Sequence, residues 1–194
     1  MRHGESTNVL AGQLGALPGA ALTRAGRDQA VAAAAKLAAL GRRPTRVYAS
    51  TAIRSIQTAD VLVSQLRLTE PLTPLNGLVE VSLGRHEGTV DEPVHARSQQ
   101  VLRNWVVHGG LDSRLDDGEN GHEVVARVTS ALRTIAADNP GGVVALVGHA
   151  ASLTTGLAAL CGIGPRVWGR PLPYAVPFLV CVDGDAWSCT DWPA

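Results

Sequence analysis

The sequence lacks an excess of either charge, because its 194 residues include 17 Lys and Arg and 17 Asp and Glu. General nucleic-acid binders normally carry a basic excess, so this balance argues against a nucleic-acid partner. A small anion-binding pocket stays compatible with zero net charge, since charges can be concentrated locally while the total cancels. Charged residues are only 18% of the chain and hydrophobic residues 45%, which argues against intrinsic disorder.

Cysteine is scarce, and its spacing does not match that of a zinc site. We interpret Cys161, Cys181 and Cys189 as small hydrophobic residues in a reduced compartment and expect a cytoplasmic protein. The alternative is a disulfide between Cys181 and Cys189, which could face each other across a hairpin at Asp183-Gly184-Asp185. The six histidines also lack metal-site spacing, so we expect neither a metal nor another cofactor.

The sequence also lacks a convincing membrane segment. It opens with Met1-Arg2-His3-Gly4 and no apolar run follows the charge, so no signal peptide is predicted. The stretch 143–163 is nearly uncharged, but it is rich in Ala, Gly, Ser and Thr and contains Gly148-His149. We therefore expect a buried strand followed by a helix there, and no membrane partner.

Helix and strand patterns alternate along the chain. Strands are predicted at 46–49, weakly at 71–75, at 143–147, and as a closing pair at 176–182 and 186–190. Helices are predicted at 23–40, 51–66, 94–107, 123–137 and 150–160. The strand at 143–147 is apolar on both faces, as in parallel sheets covered on both sides. The pattern predicts one α/β domain over 1–194 with a mostly parallel sheet, and a small cap-like insertion at about 84–118.

Two histidines lie where such a sheet binds ligands, beyond the carboxyl ends of its strands. His149 directly follows the strand at 143–147 and opens a helix, and His3 lies in Arg2-His3-Gly4-Glu5. A glycine beside each histidine lets the backbone approach a ligand closely. The free N–H groups at a helix start suit a phosphate group.

Six segments between residue 2 and about 155 occur in the order found in the histidine phosphatase superfamily, which they resemble. They are Arg2-His3-Gly4, Leu22-Thr23-x-x-Gly26-x-x-Gln29-Ala30, Ser50-x-x-x-Arg54-x-x-x-Thr58-Ala59, Leu78-x-Glu80-x-x-x-Gly84-x-His86-Glu87-Gly88, Gly118-Glu119-Asn120 and Val147-Gly148-His149. Two positions depart from the pattern, since His86 replaces the usual Trp and Asn120 replaces Ser. We expect His86 to line the pocket rim or pack, and Glu87 to have a structural role in its turn.

The resemblance implies a phosphoglycerate mutase-like fold, a three-layer α/β/α sandwich, and catalysis through a phosphohistidine on His3. It further implies that Glu80 protonates the leaving oxygen and then activates water. Guanidinium groups bond two phosphoryl oxygens at once. The residues expected to hold the phosphoryl group are Arg2, Arg54 and His149, with Asn8 as an additional contact.

The stretch between Gly88 and Gly118 is short, whereas mutases of this family usually carry a longer insertion over the substrate. We therefore favour a phosphatase acting on a small phosphorylated metabolite, with a homodimer left open. The alternatives are a mutase-type phosphotransferase and a catalytically weak protein that binds a phosphorylated ligand. A Rossmann-type nucleotide enzyme is disfavoured, because no G-x-G-x-x-G follows a strand.

The start of the sequence departs most from the family pattern. In the family, R-H-G follows a central strand of about five apolar residues, but only Met1 precedes Arg2 here. We therefore expect a truncated first strand, a vacant position in the sheet and a frayed segment around His3. Either the sequence starts late relative to a longer protein, which we favour, or another segment fills the position.

Overall fold

A parallel three-stranded sheet forms the centre of the computed structural model, which describes residues 1–17 and 19–193. Its strands are β1 (Arg46–Ser50), β2 (Thr73–Leu75) and β3 (Val144–Val147), in the order β2-β1-β3. Tyr48 of β1 lies opposite Thr73 of β2 and Leu146 of β3. The remaining strands, β4 (Cys181–Asp183) and β5 (Ala186–Ser188), form a separate antiparallel pair.

Seven α-helices lie in the described part of the chain. They are α1 (Thr7–Leu10), α2 (Arg24–Ala38), α3 (Ile53–Leu66), α4 (Glu92–Arg103), α5 (Gly121–Asp138), α6 (Ala150–Cys161) and α7 (Gly164–Val167). Two 3₁₀ turns span Asn76–Leu78 and Gly84–His86, and a π-helical segment, Asn104–His108, continues α4. None of these helices combines the length and the apolar character needed to cross a membrane.

The two faces of the sheet are covered by different helices because side chains alternate along β1. Val47 packs in one cluster with Ala33 of α2 and Leu62 of α3. Tyr48 points to the other side, where it packs with Ile135 of α5. This arrangement confirms the predicted three-layer α/β/α sandwich.

The observed helix ends differ from the predicted ones where local hydrogen bonds decide the boundary. Helix α5 begins two residues early because Asn120 and Glu123 form a reciprocal capping box, with hydrogen bonds of 2.9 and 2.8 Å. Helix α4 also begins early, because the Asp91 carboxylate accepts from the Val94 amide at 3.2 Å. The sequence patterns missed α1 and α7, which have only four residues each.

Residues 1–3 occupy the sheet position that we expected to be vacant, beside the end of β3. Arg2 forms parallel bridges to Gly148 on one side and to Tyr174 on the other. The His3 amide donates to the Gly148 carbonyl at 3.0 Å, and the Ala175 amide donates to the Arg2 carbonyl at 3.1 Å. The expectation of a frayed segment around His3 is therefore wrong, because both edges of this segment are hydrogen-bonded.

The alternative of a disulfide is also wrong, since all three thiols are free. Cys181 lies opposite Ser188 in the β4–β5 pair, and Cys189 falls outside that register. Cys189 is buried as expected, whereas Cys181 is exposed.

Candidate active site

The residues selected from the sequence converge on one cleft of about 480 Å³ at the carboxyl end of the sheet. Arg2, His3, Asn8, Arg54 and Glu80 line this cleft. His149 is completely buried and lies against His3, with the two ring centroids 5.0 Å apart. We call Arg2, His3, Arg54, Glu80 and His149 the inner site.

The His3 ring is held in one tautomer. Its Nδ1 lies 2.6 Å from the Gly4 carbonyl oxygen, and because a carbonyl only accepts, Nδ1 carries the hydrogen. The Nε2 atom therefore keeps its lone pair, and it accepts from Arg54 Nε at 3.1 Å. Burial lowers the pKa of His3 well below its usual range, and the nearby His149 adds to this effect. The neutral imidazole is the nucleophilic form of histidine.

Arg54 is only 1% exposed, and its guanidinium connects both histidines to a loop. It donates to His3 Nε2 and, through NH2, to His149 Nδ1 at 3.2 Å. It also donates to the carbonyl oxygens of Leu17 and Ala16, at 2.7 and 2.8 Å. Four acceptors on three segments fix the orientation of this charge. Burial is also the main reason that the pKa of Arg54 is lowered.

His149 is oriented by the end of β1. Since Arg54 donates to its Nδ1, its Nε2 carries the hydrogen and donates to Ser50 Oγ, 2.6 Å away. Ser55 Oγ lies 3.3 Å from the same nitrogen. Burial, followed by the charges of Arg54 and Arg2, lowers the pKa of His149 well below its usual range. The sequence analysis assigned no role to Ser50 or Ser55.

Arg2 contributes the second cation of the inner site. Its guanidinium carbon lies 3.9 Å from the centroid of the Tyr174 ring, and its NH2 donates to the Tyr174 hydroxyl at 3.1 Å. Its NH1 donates to the Leu172 carbonyl at 3.2 Å. Its buried Nε has no hydrogen-bond partner among the residues that the structure describes. Buried N–H groups are nearly always paired, so this unpaired donor is a candidate contact for an anionic ligand.

The Glu80 carboxylate lies at the start of α6, the helix that begins directly after His149. It accepts from the backbone amides of Ser152 and Ala151, at 2.8 and 3.2 Å. These bonds satisfy amides that have no partner within the helix. The carboxylate is therefore held at the cleft by the first turn of the helix that follows His149.

The backbone of Glu80 is held by Arg127, a residue for which the sequence suggested no function. Arg127 donates to the carbonyls of Val79 and Glu80, at 2.8 and 3.2 Å. It also forms a two-pronged ion pair with Glu119, at 2.7 and 2.9 Å. Glu119 of the Gly118-Glu119-Asn120 segment therefore helps to position Arg127, which holds the backbone of Glu80.

Glu87 supports the loop that faces Arg54. Its carboxylate accepts from the amides of Ala16 and Leu83, both at 2.7 Å. It thereby connects the loop that provides the Ala16 and Leu17 carbonyls to the segment after Glu80. These contacts agree with the structural role expected for Glu87.

Of the two remaining residues singled out from the sequence, Asn8 lines the cleft and His86 does not. The Asn8 amide is buried at the cleft, where its oxygen accepts from Ser6 Oγ at 2.7 Å. His86 Nε2 lies 2.6 Å from Asp116 Oδ2, and His86 is not among the residues that line the cleft.

In the described part of the chain, no group of three or more His, Cys, Asp or Glu residues is arranged to hold a metal ion.

Comparisons with known proteins find relatives in sequence and in fold. A glucosyl-3-phosphoglycerate phosphatase from Mycolicibacterium vanbaalenii is 29% identical over 178 residues, which cover 87% of this chain and 75% of the relative. The structure of a mycobacterial glucosyl-3-phosphoglycerate phosphatase with VO3 superposes with a TM-score of 0.82 at 23% identity, covering 100% of this chain and 96% of that one. The alpha-ribazole phosphatase of Shigella flexneri gives 0.75 at 18% identity, covering 98% and 92%.

The TM-scores of these two structures show a shared fold, and at identities of 23% and 18% they show the fold alone. The family model of the histidine phosphatase superfamily (branch 1) matches residues 1–194. The chain therefore belongs to branch 1 of the histidine phosphatase superfamily.

Proposed function

We propose that this chain is a phosphatase that hydrolyses a small phosphomonoester through a phosphohistidine on His3. The observation that carries the proposal is the state of His3, a buried neutral imidazole with Nε2 facing Arg54. An arginine aimed at the nucleophile is what a phosphoryl group requires, since its transfer depends on positioning and charge stabilisation. The relatives described above are phosphatases by name, which favours hydrolysis over transfer to a second substrate.

In the first step, His3 Nε2 attacks phosphorus and forms a P–N bond while the bond to the leaving oxygen breaks. The hydrogen bond from Arg54 Nε to His3 Nε2 is exchanged for one to a phosphoryl oxygen. The buried Nε–H of Arg2 is a second donor to the phosphoryl group. Protonated Glu80 transfers its proton to the leaving oxygen, so the product leaves as a neutral alcohol.

In the second step, water hydrolyses the phosphohistidine. Glu80, now a carboxylate, accepts a proton from water as the water oxygen attacks phosphorus. The P–N bond breaks, and the electron pair returns to His3 Nε2. The Nδ1–H bond to the Gly4 carbonyl persists through both steps, so His3 ends in its starting tautomer.

We further propose that the reaction needs no metal ion, because Arg2 and Arg54 supply the positive charge that a divalent ion provides in other phosphoryl-transfer sites. Turnover should be unchanged after dialysis against EDTA. If EDTA abolishes turnover and Mg²⁺ restores it, this part of the proposal is wrong.

The direct test of the function is the substitution His3→Ala, assayed with an aryl phosphate. We expect a loss of about 10⁴-fold or more in kcat, because the nucleophile is removed. His122→Ala is the matched control, since the His122 side chain is 60% exposed, and it should keep full activity. Retention of the unsubstituted rate by His3→Ala would overturn the proposal.

A further inference from the structure

The cleft extends outward from the inner site, and its outer wall is apolar. Six hydrophobic side chains from four segments of the chain line it, and we call them the outer site: Leu14, Leu83, Leu102, Trp105, Val167 and Trp168. Leu83, Trp105 and Val167 are buried parts of the main core cluster, and the other three pack against that cluster. The wall is therefore a fixed surface that continues the core.

The charged residues of the cleft do not serve the outer site. Among the charged residues that line the described part of the cleft, Arg2 and Arg54 belong to the inner site, and the Glu80 carboxylate lies at the start of α6. Glu119 is neutralised by its ion pair with Arg127. Arg170 is exposed and forms no ion pair among the described residues, and its Nη2 donates at 3.3 Å to the carbonyl of Trp192, which does not line the cleft.

The polar groups that remain in the outer lining are neutral. Gln13, Ser98 and Gln99 carry amide and hydroxyl groups, which can hydrogen-bond a ligand without requiring a charge on it. A carboxylate or second phosphate placed against this wall would lose its hydration, and it would gain a cation only if Arg170 left the Trp192 carbonyl, so its binding is costly. A flat apolar group would instead bury its surface against Trp105, Trp168 and Leu102.

We propose that the outer site binds the leaving group of the substrate and selects an uncharged aromatic group over one that bears an additional anion. The selection rests on the proposed phosphatase function, which places the leaving group next to the phosphoryl position. The substrate class is therefore a phosphomonoester with one phosphate and a neutral, largely apolar ring system.

Matched pairs of aryl phosphates test the selection by kcat/KM. Phenyl phosphate should exceed 4-carboxyphenyl phosphate by tenfold or more, and 2-naphthyl phosphate should exceed phenyl phosphate severalfold. Equal values for the phenyl and carboxyphenyl compounds, or a preference for the carboxylate, would overturn the proposal. In that case turnover itself would still support the phosphatase function.

The corresponding phosphonates, which cannot be hydrolysed, separate the two proposals when no turnover is found. Calorimetric titration should show phenylphosphonate binding at least tenfold more tightly than 4-carboxyphenylphosphonate. This result without turnover would retain the outer site and reject the phosphatase. Equal affinity for both compounds would reject the outer site.

A substitution in the wall provides a second test. Leu102→Lys places a cation in the outer site, so the ratio of phenyl to 4-carboxyphenyl turnover should fall by tenfold or more. Val31→Lys is the control, since Val31 is an exposed residue of α2 outside the cleft lining, and the ratio should stay unchanged. An unchanged ratio in folded Leu102→Lys would contradict the proposal.

Discussion

The inner and outer sites share one cleft but are built from opposite kinds of contact. In the inner site, charged and imidazole side chains are fixed by directional hydrogen bonds, such as those from Arg54 to four separate acceptors. The outer site is a wall of hydrophobic side chains that extends from the core. Directional bonds can stabilise the charge of one transition state, whereas an apolar wall discriminates by size and charge. Under the two proposals, the reaction belongs to one half of the cleft and substrate choice to the other.

The largest expected effect after that of His3→Ala distinguishes Glu80 from Glu87, two carboxylates that the family pattern places close together in sequence. Glu80→Gln should slow an alkyl phosphate by about 10²–10⁴-fold, because the leaving alkoxide needs a proton. An aryl phosphate with an acidic leaving group should be slowed far less.

Glu87→Gln is the matched control for this experiment. Glu87 supports the loop that faces Arg54, so its substitution should affect alkyl and aryl phosphates equally. Equal losses on both substrates in Glu80→Gln, or a larger loss from Glu87→Gln, would reverse the assignment of the general acid.

Replacing the buried guanidinium tests how much the fixed geometry of the inner site contributes. Arg54→Lys keeps the charge but loses the planar fork that reaches both histidines and the loop carbonyls. We expect kcat to fall by about 10²–10³-fold. The control Arg85→Lys changes an exposed arginine and should leave kcat unaffected. A small effect of Arg54→Lys would mean that charge alone is sufficient.

A smaller expected effect is on the pH dependence of kcat/KM. Burial and the neighbouring His149 lower the pKa of His3, so His3 stays neutral at pH values where an ordinary histidine is protonated. The acid limb of kcat/KM should therefore lie below about pH 6.5, after correction for the second ionisation of the substrate phosphate. This limb is measured between pH 4.5 and 8 in roughly half-unit steps. An enzyme-derived limb at or above the ordinary histidine value would contradict the structure.

The inner site could largely be predicted from sequence, because its side chains lie in short segments with characteristic glycines and arginines. Arg2, His3, Arg54 and Glu80 line the cleft, and His149 lies buried against His3. Other parts of the inner site have no such signal. The Ala16 and Leu17 carbonyls that fix Arg54 belong to the backbone, and Tyr174, which stacks on Arg2, lies far along the chain.

The outer site could not be predicted, because its residues resemble ordinary core residues in sequence. Leu14, Leu83, Trp105 and Trp168 come from separate segments, and only the folded chain brings one face of each to the cleft. The fold could be predicted from the sequence more completely than the outer site. The apolar strand at 143–147 and the alternation of helices with strands predicted the layers, whereas helix ends depended on caps such as the Asn120–Glu123 box.

The central claim is that His3 carries the phosphoryl group during turnover. The most direct measurement is an acid-sensitive phosphoenzyme trap, in which the protein is mixed with substrate, quenched rapidly at neutral to alkaline pH, digested and analysed by mass spectrometry. We expect one phosphoryl group on the peptide that contains His3, lost on acid treatment and absent from His3→Ala. Full turnover with no phosphorylated His3 peptide, or with the phosphoryl group on another residue, would contradict it.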